Sequence, residues 1–195
     1  MNNYIRKLKL TNIKSLYLDV TEIKHTSKKA MIAFASNNQQ IELLIYTYDC
    51  YANIINDMKF DNLKYLYIKK NNRKNTLSRF ADDYAYLINF YSKTLKYLNI
   101  DCVSICTSES IKNCSELRVL NLSMYTNMLK ERYNNLNIIK NVRCQDLVIN
   151  KLYRNCGIVN IIKLKYYISE IINTIIENDF LRKVIIKETN FNFIF

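Results

Sequence analysis

Apolar residues recur along this chain in the order L-x-x-L-x-L, with Ile or Val admitted at the apolar places. The copies read Ile13-x-x-Leu16-x-Leu18, a weak Ile41-x-x-Leu44-x-Tyr46, Leu63-x-x-Leu66-x-Ile68, Leu95-x-x-Leu98-x-Ile100 and Leu117-x-x-Leu120-x-Leu122. They continue as Cys144-x-x-Leu147-x-Ile149, Val159-x-x-Ile162-x-Leu164 and Leu181-x-x-Val184-x-Ile186. Their starts lie 28, 22, 32, 22, 27, 15 and 22 residues apart. Most of these intervals fit a repeat of about 20–29 residues with insertions, and the interval of 15 is too short. Either the Cys144 or the Val159 frame is misassigned, or that turn of the repeat is degenerate. In each copy the last two apolar residues point to one side of a short strand and the residues between them to the other.

Between the strands the apolar period changes from 2 to 3.6, which predicts return helices. Tyr51, Ile54, Ile55 and Met58 share one helical face; Phe80, Tyr84, Leu87, Ile88 and Tyr91 form a longer stripe. Met128, Leu129, Arg132, Tyr133 and Leu136 make another, and Tyr167, Ile168, Ile171, Ile172 and Ile175 the strongest. Ser108 to Cys114 leaves room for only about two helical turns. Stacked strands joined by such helices give a parallel sheet covered on one side.

The segments Asn113-Cys114-Ser115-Glu116-Leu117-Arg118-Val119-Leu120-Asn121-Leu122-Ser123 and Leu63 to Asn71 resemble the leucine-rich-repeat family. That resemblance implies an α/β solenoid with a curved parallel sheet on its concave side and helices on its convex side. Residues 1–195 would form one domain of about seven to eight irregular repeats. Asn is irregular at the ninth repeat position, where Thr21, Val103, Tyr125 and Thr189 stand in other copies. Residues 1–12 read as an N-terminal capping strand, with Ile5, Leu8 and Leu10 turning into the first repeat around Thr11-Asn12. At the other end Phe191, Phe193 and Phe195 alternate, an aromatic strand edge that implies a partner, self-association or a longer chain.

Composition narrows the function classes. The chain has one glycine and no proline, where ordinary usage would give about 14 and about 10. Phosphate-cradling loops, dinucleotide fingerprints and nucleophile elbows need several glycines, and Gly157 stands alone. The tight turns therefore fall to Asn, Asp and Ser, with Asn37-Asn38, Asn71-Asn72 and Asn134-Asn135 the expected sites. The scarcity of residues with GC-rich codons points to an AT-rich genome. Families of leucine-rich-repeat proteins in such genomes, including those of large DNA viruses, look like this chain; some add an F-box, whose helices are not read in the first 40 residues. The same codon bias supplies much of the lysine behind a net charge of +12. The amino terminus lacks the apolar core of a signal peptide, and no segment reaches the roughly 18–20 apolar residues of a membrane span. A soluble cytoplasmic protein is expected, in the host cytoplasm if viral, with its six cysteines reduced.

Chemistry-bearing clusters are sparse. Cys102-x3-Cys106-x7-Cys114 lacks the second close ligand pair of a zinc site, and His25 is remote from it. His25 reads as a solvated loop residue, and Asp82-Asp83 and Glu170/Glu177 as the wet sides of amphipathic helices. No catalysis, metal or cofactor is expected. The informative residues are those pointing outward from the strands, which the resemblance makes the partner-binding face. Tyr17, Tyr65, Tyr67, Tyr97, Asn99 and Asn121 give its first half an aromatic and amide character suited to a protein partner. Lys163, Lys165, Lys183 and Lys187 make the last two expected strands basic, and nucleic-acid binding there is the alternative function.

Overall fold

The computed structural model describes residues 2–19, 28–48, 57–70, 81–100, 105–123, 136–150, 161–187 and 192–194. Seven strands form a single parallel sheet in sequence order: β1 (Ser15–Asp19), β2 (Leu43–Tyr48), β3 (Tyr65–Lys70), β4 (Tyr97–Ile100), β5 (Val119–Ser123), β6 (Asp146–Asn150) and β7 (Lys183–Lys187). A short β8 (Asn192–Ile194) closes that end antiparallel to β7. The helices are α1 (Asn2–Lys7), α2 (Lys28–Asn37), α3 (Ala81–Phe90), α4 (Ile105–Lys112), α5 (136–141) and α6 (Ile161–Ile176). This single open sheet with intervening helices is compatible with an α/β solenoid.

Strands fall at seven of the eight sequence frames, and the pairing is in register. Leu16, Leu44, Leu66, Leu98, Leu120, Leu147 and Val184 form one continuous row across the sheet. Leu18, Tyr46, Ile68, Ile100, Leu122, Ile149 and Ile186 form the next. Both rows merge into one core with Met31, Phe34 and Ala35 of α2, Tyr84, Leu87 and Ile88 of α3, Ile138 and Ile139 of α5, and Ile171 of α6. Period 2 on the strands and period 3.6 on the helices thus meet in a single apolar layer. Within it the Tyr46 and Tyr84 rings meet edge to face at 6.5 Å.

The register is fixed at the strand heads by one repeated backbone device. The carbonyl of the residue before each strand accepts two N–H groups from the next repeat. Lys14 receives Glu42 and Leu43, Glu42 receives Lys64 and Tyr65, and Lys64 receives Lys96 and Tyr97. Lys96 receives Arg118 and Val119, Arg118 receives Gln145 and Asp146, and Gln145 receives Arg182 and Lys183, all at 2.8–3.1 Å. The strands are staggered by no residue, so every outward side chain has an equivalent neighbour on each side.

Two sequence expectations are corrected. The Val159 frame is not a strand: from Ile161 the chain is helical, and β6 pairs directly with β7. Ile161, Leu164, Ile168, Ile171, Ile172 and Ile175 follow one another at three- and four-residue spacings, a helical period longer than any strand, and the Val159 frame took Ile162 and Leu164 from that helix. Lys163 and Lys165 therefore belong to α6 and not to the sheet. The capping strand of residues 1–12 is instead the helix α1. Ile5 in this helix and Leu8 just after it pack partly buried on the core, and Arg6 and Lys7 sit where the helix dipole favours cations.

Asparagine serves some of the described turns, while others are made by Gln39-Gln40, by Tyr91 to Thr94 and by Ser115-Glu116. Asn12, φ 69°, takes the left-handed conformation at the turn into β1. Asn38 and Asn178, each five residues before its strand, are both buried. Asn38 donates to the Leu8 carbonyl at 3.0 Å and the Phe34 carbonyl at 2.7 Å, and its Oδ1 accepts the Leu10 N–H at 2.6 Å. Asn178 repeats this, donating to the carbonyls of Ile139 at 2.6 Å and Val142 at 3.0 Å and accepting the Phe180 N–H at 2.9 Å. Each amide stitches one repeat to the preceding one. Asn71-Asn72 and Asn134-Asn135 lie outside the described residues.

Candidate functional site

The face of the sheet turned away from the helices is where the outward residues collect. Tyr17, Ile45, Tyr67, Asn99, Asn121, Val148 and Ile185 form one row; Tyr65 pairs with Tyr97, and Tyr97 with Val119, in the row beside it. Strands lie about 4.8 Å apart, close enough for tyrosines one strand apart to meet. The Tyr67 and Tyr97 rings do so, stacked with centroids 4.8 Å apart and planes 22° from parallel. Tyr65 remains 38% exposed beside them.

Hydrogen bonds continue this cluster across two more strands. Asn121 Nδ2 donates to the Tyr97 hydroxyl at 3.4 Å, and Asn150 Nδ2 donates to Asn121 Oδ1. On the other side Thr47 Oγ1 donates to the Tyr17 hydroxyl at 3.1 Å. Partial burial pushes the Tyr67 hydroxyl up to about 12, with the neighbouring Tyr97 hydroxyl and Tyr65 adding to the shift. Tyr67 therefore stays neutral at physiological pH and keeps a proton to donate. The result is a half-exposed aromatic patch in which Tyr67 stacks on Tyr97 and the Tyr97 hydroxyl, Asn121 and Asn150 are joined by hydrogen bonds.

Five of the six residues expected at the partner face are brought close together: Tyr65, Tyr67, Tyr97, Asn99 and Asn121 occupy β3 to β5. Tyr17 shares the face but stands two strands away on β1, 58% exposed. The expected basic patch is divided between two elements. Lys183 and Lys187 are exposed at the two ends of β7, while Lys163 and Lys165 belong to a helix. Phe193 stands opposite Ile186 in the β7–β8 pairing; Phe191 and Phe195 lie outside the described residues.

A second row was hidden in the repeat. Lys14, Glu42, Lys64, Lys96, Arg118, Gln145 and Arg182 all occupy the first variable place of L-x-x-L-x-L, and the bifurcated backbone bonds line them up along the strand heads. Its first part is ion-paired within itself: Glu42 bonds Lys14 at 3.0 Å and Lys64 at 3.3 Å. These contacts, Lys14 foremost, hold the Glu42 carboxyl below the usual range.

The groups considered for chemistry are quiet. The Cys114 and Cys144 thiols are free and buried, and burial pushes each up to about 12. They are protonated at neutral pH and poor nucleophiles. Among the described residues no group of three or more His, Cys, Asp or Glu could hold a metal, and no helix is long and apolar enough to cross a membrane. His25, Cys50, Cys102 and Cys156 lie outside the described residues. No protein-family model, no curated protein and no solved structure matches the chain.

Proposed function

We propose that the chain is an irregular leucine-rich-repeat solenoid acting as a non-catalytic protein-interaction module. A protein partner docks on the outward face of the sheet, over Tyr65, Tyr67, Tyr97, Asn99 and Asn121. The observation that carries this reading is the stacked Tyr67–Tyr97 pair with its hydroxyl and amide chain through Asn121 to Asn150. Stacking and hydrogen bonding restrain Tyr67, Tyr97 and Asn121 before any partner arrives, which lowers the rotamer entropy they lose on binding. Tyrosine adds a large ring area together with a hydroxyl that tolerates both water and burial. Reduced, buried thiols suit the cytoplasm, and the composition suits an AT-rich genome such as that of a large DNA virus. The repeat assignment rests on the in-register frames and the repeated strand-head device.

The test is affinity capture from cell extract with the wild-type chain and with Tyr65→Ala/Tyr67→Ala. The variant is expected to lose at least about 2 kcal/mol of binding, roughly thirtyfold in affinity, and with it the specific partner band. Recovery of every partner at unchanged yield by a folded variant would falsify the docking face.

A further inference from the structure

We infer that the basic row along the strand heads receives an acidic protein segment, with carboxylates set against Lys96, Arg118 and Arg182. The inference rests on the reading of the adjacent tyrosine face as a protein-docking surface and names the chemistry of what docks there. From Lys96 onward the row changes character. The Glu42 carboxylate is taken by Lys14 and Lys64, and Lys96, Arg118 and Arg182 have no ion pair among the described residues. Arg118 and Arg182 are exposed and Lys96 is half-buried. With strands about 4.8 Å apart, the stretch from Lys96 past Gln145 to Arg182 spans roughly 14 Å, the reach of about four to five extended residues. Lys96 directly precedes Tyr97, so such a segment continues onto the aromatic cluster.

Two features favour a protein over a nucleic acid. Glu116, two residues ahead of Arg118, is exposed, and Asp146 stands at the head of β6 between Val119 and Lys183. These acids repel a polyphosphate of continuous charge, whereas a protein segment can place its carboxylates opposite the cations alone. The Tyr67 and Tyr97 rings already pack one face against each other, where base stacking calls for free faces.

The test is fluorescence anisotropy on the full chain with three labelled probes of equal length: a poly-glutamate peptide spaced by glutamine at every second residue, a poly-glutamine peptide and oligo-dT. The wild type is expected to bind poly-glutamate and not poly-glutamine, with affinity falling several-fold between about 50 mM and about 300 mM salt. Lys96→Glu/Arg118→Glu is expected to weaken poly-glutamate binding at least about tenfold; Arg118→Gln/Arg182→Gln replaces it if circular dichroism shows the reversal perturbs the fold. Wild type that ignores poly-glutamate, variants that bind it unchanged, or tighter binding of oligo-dT than of poly-glutamate overturns the inference. The two readings separate cleanly. If Tyr65→Ala/Tyr67→Ala loses its captured partner while charge reversal leaves poly-glutamate binding intact, the basic row falls and the tyrosine face stands. If capture survives the tyrosine substitutions and charge reversal abolishes poly-glutamate binding, the row stands without the tyrosines.

Discussion

Leu98→Ala is expected to destabilise the protein by about 3–4 kcal/mol, read as a lowered urea midpoint at constant slope. Leu98 is fully buried in the middle of the inner row, between Leu66 and Leu120. Strands on both sides hold the backbone through ladder bonds, so the walls cannot collapse into the space the side chain leaves. That places the cost in the upper half of the range for a buried leucine. Asn99→Ala, one residue on but on the outward face, is expected to change stability by less than about 0.5 kcal/mol. Equal costs for the two substitutions would mean that the two faces of β4 had been assigned wrongly.

Asn178→Asp is the second large effect. The amide nitrogen bonds two carbonyls, those of Ile139 and Val142, from a buried position. An isosteric carboxylate keeps the acceptor for Phe180 and loses both donors, leaving a negative charge against two carbonyl oxygens. A cost of about 3 kcal/mol or more at neutral pH is expected. The sign of its pH dependence follows. The buried aspartic acid titrates higher in the folded than in the unfolded chain, so the loss is present above the unfolded value of about 3.9 and is recovered as pH falls towards it. Asn178→Ala removes both donors and also the acceptor for Phe180, adds no charge, and is expected to show no such recovery. Equal stability of Asn178→Asp and wild type at pH 7 would contradict the stitching role.

Much of this architecture was legible in the chain because its repeat carries two periods at once. Leu66 and Ile68, or Leu120 and Leu122, declare both a strand and its buried side, and a one-residue slip would have exposed them. The interval of 15 residues before Val159 marked the one frame that is not a strand, where Leu164 belongs to the helical period of Ile161, Ile168 and Ile171. The α1 segment was misread for a related reason: Ile5, Leu8 and Leu10 are too few to separate the periods, and only the contact with α2 decides. Asparagine pairs marked turns, yet a turn residue at the surface and a buried amide joining two repeats look the same in sequence. The partner face divided similarly. Its tyrosines could be placed on one side by alternation, but the Tyr67–Tyr97 stack depends on neighbouring-strand geometry. The basic strand-head row had a signal, since Lys14, Lys64, Lys96, Arg118 and Arg182 all follow the first apolar residue of their copies. That signal is weaker than the tyrosine one, because period-2 alternation marks only the residues within the strand.

The central claim is that a partner covers the tyrosine face of the sheet and leaves the helical side free. Tyrosine footprinting tests it most directly, by chemical modification of the chain alone and in complex with its captured partner, read by mass spectrometry. Tyr65 on the sheet is 38% exposed and Tyr86 on α3 is 54% exposed, so both react in the free protein. In the complex Tyr65 is expected to lose its reactivity while Tyr86 keeps it. Protection of Tyr86 with Tyr65 still reactive would place the partner on the helices and contradict the account.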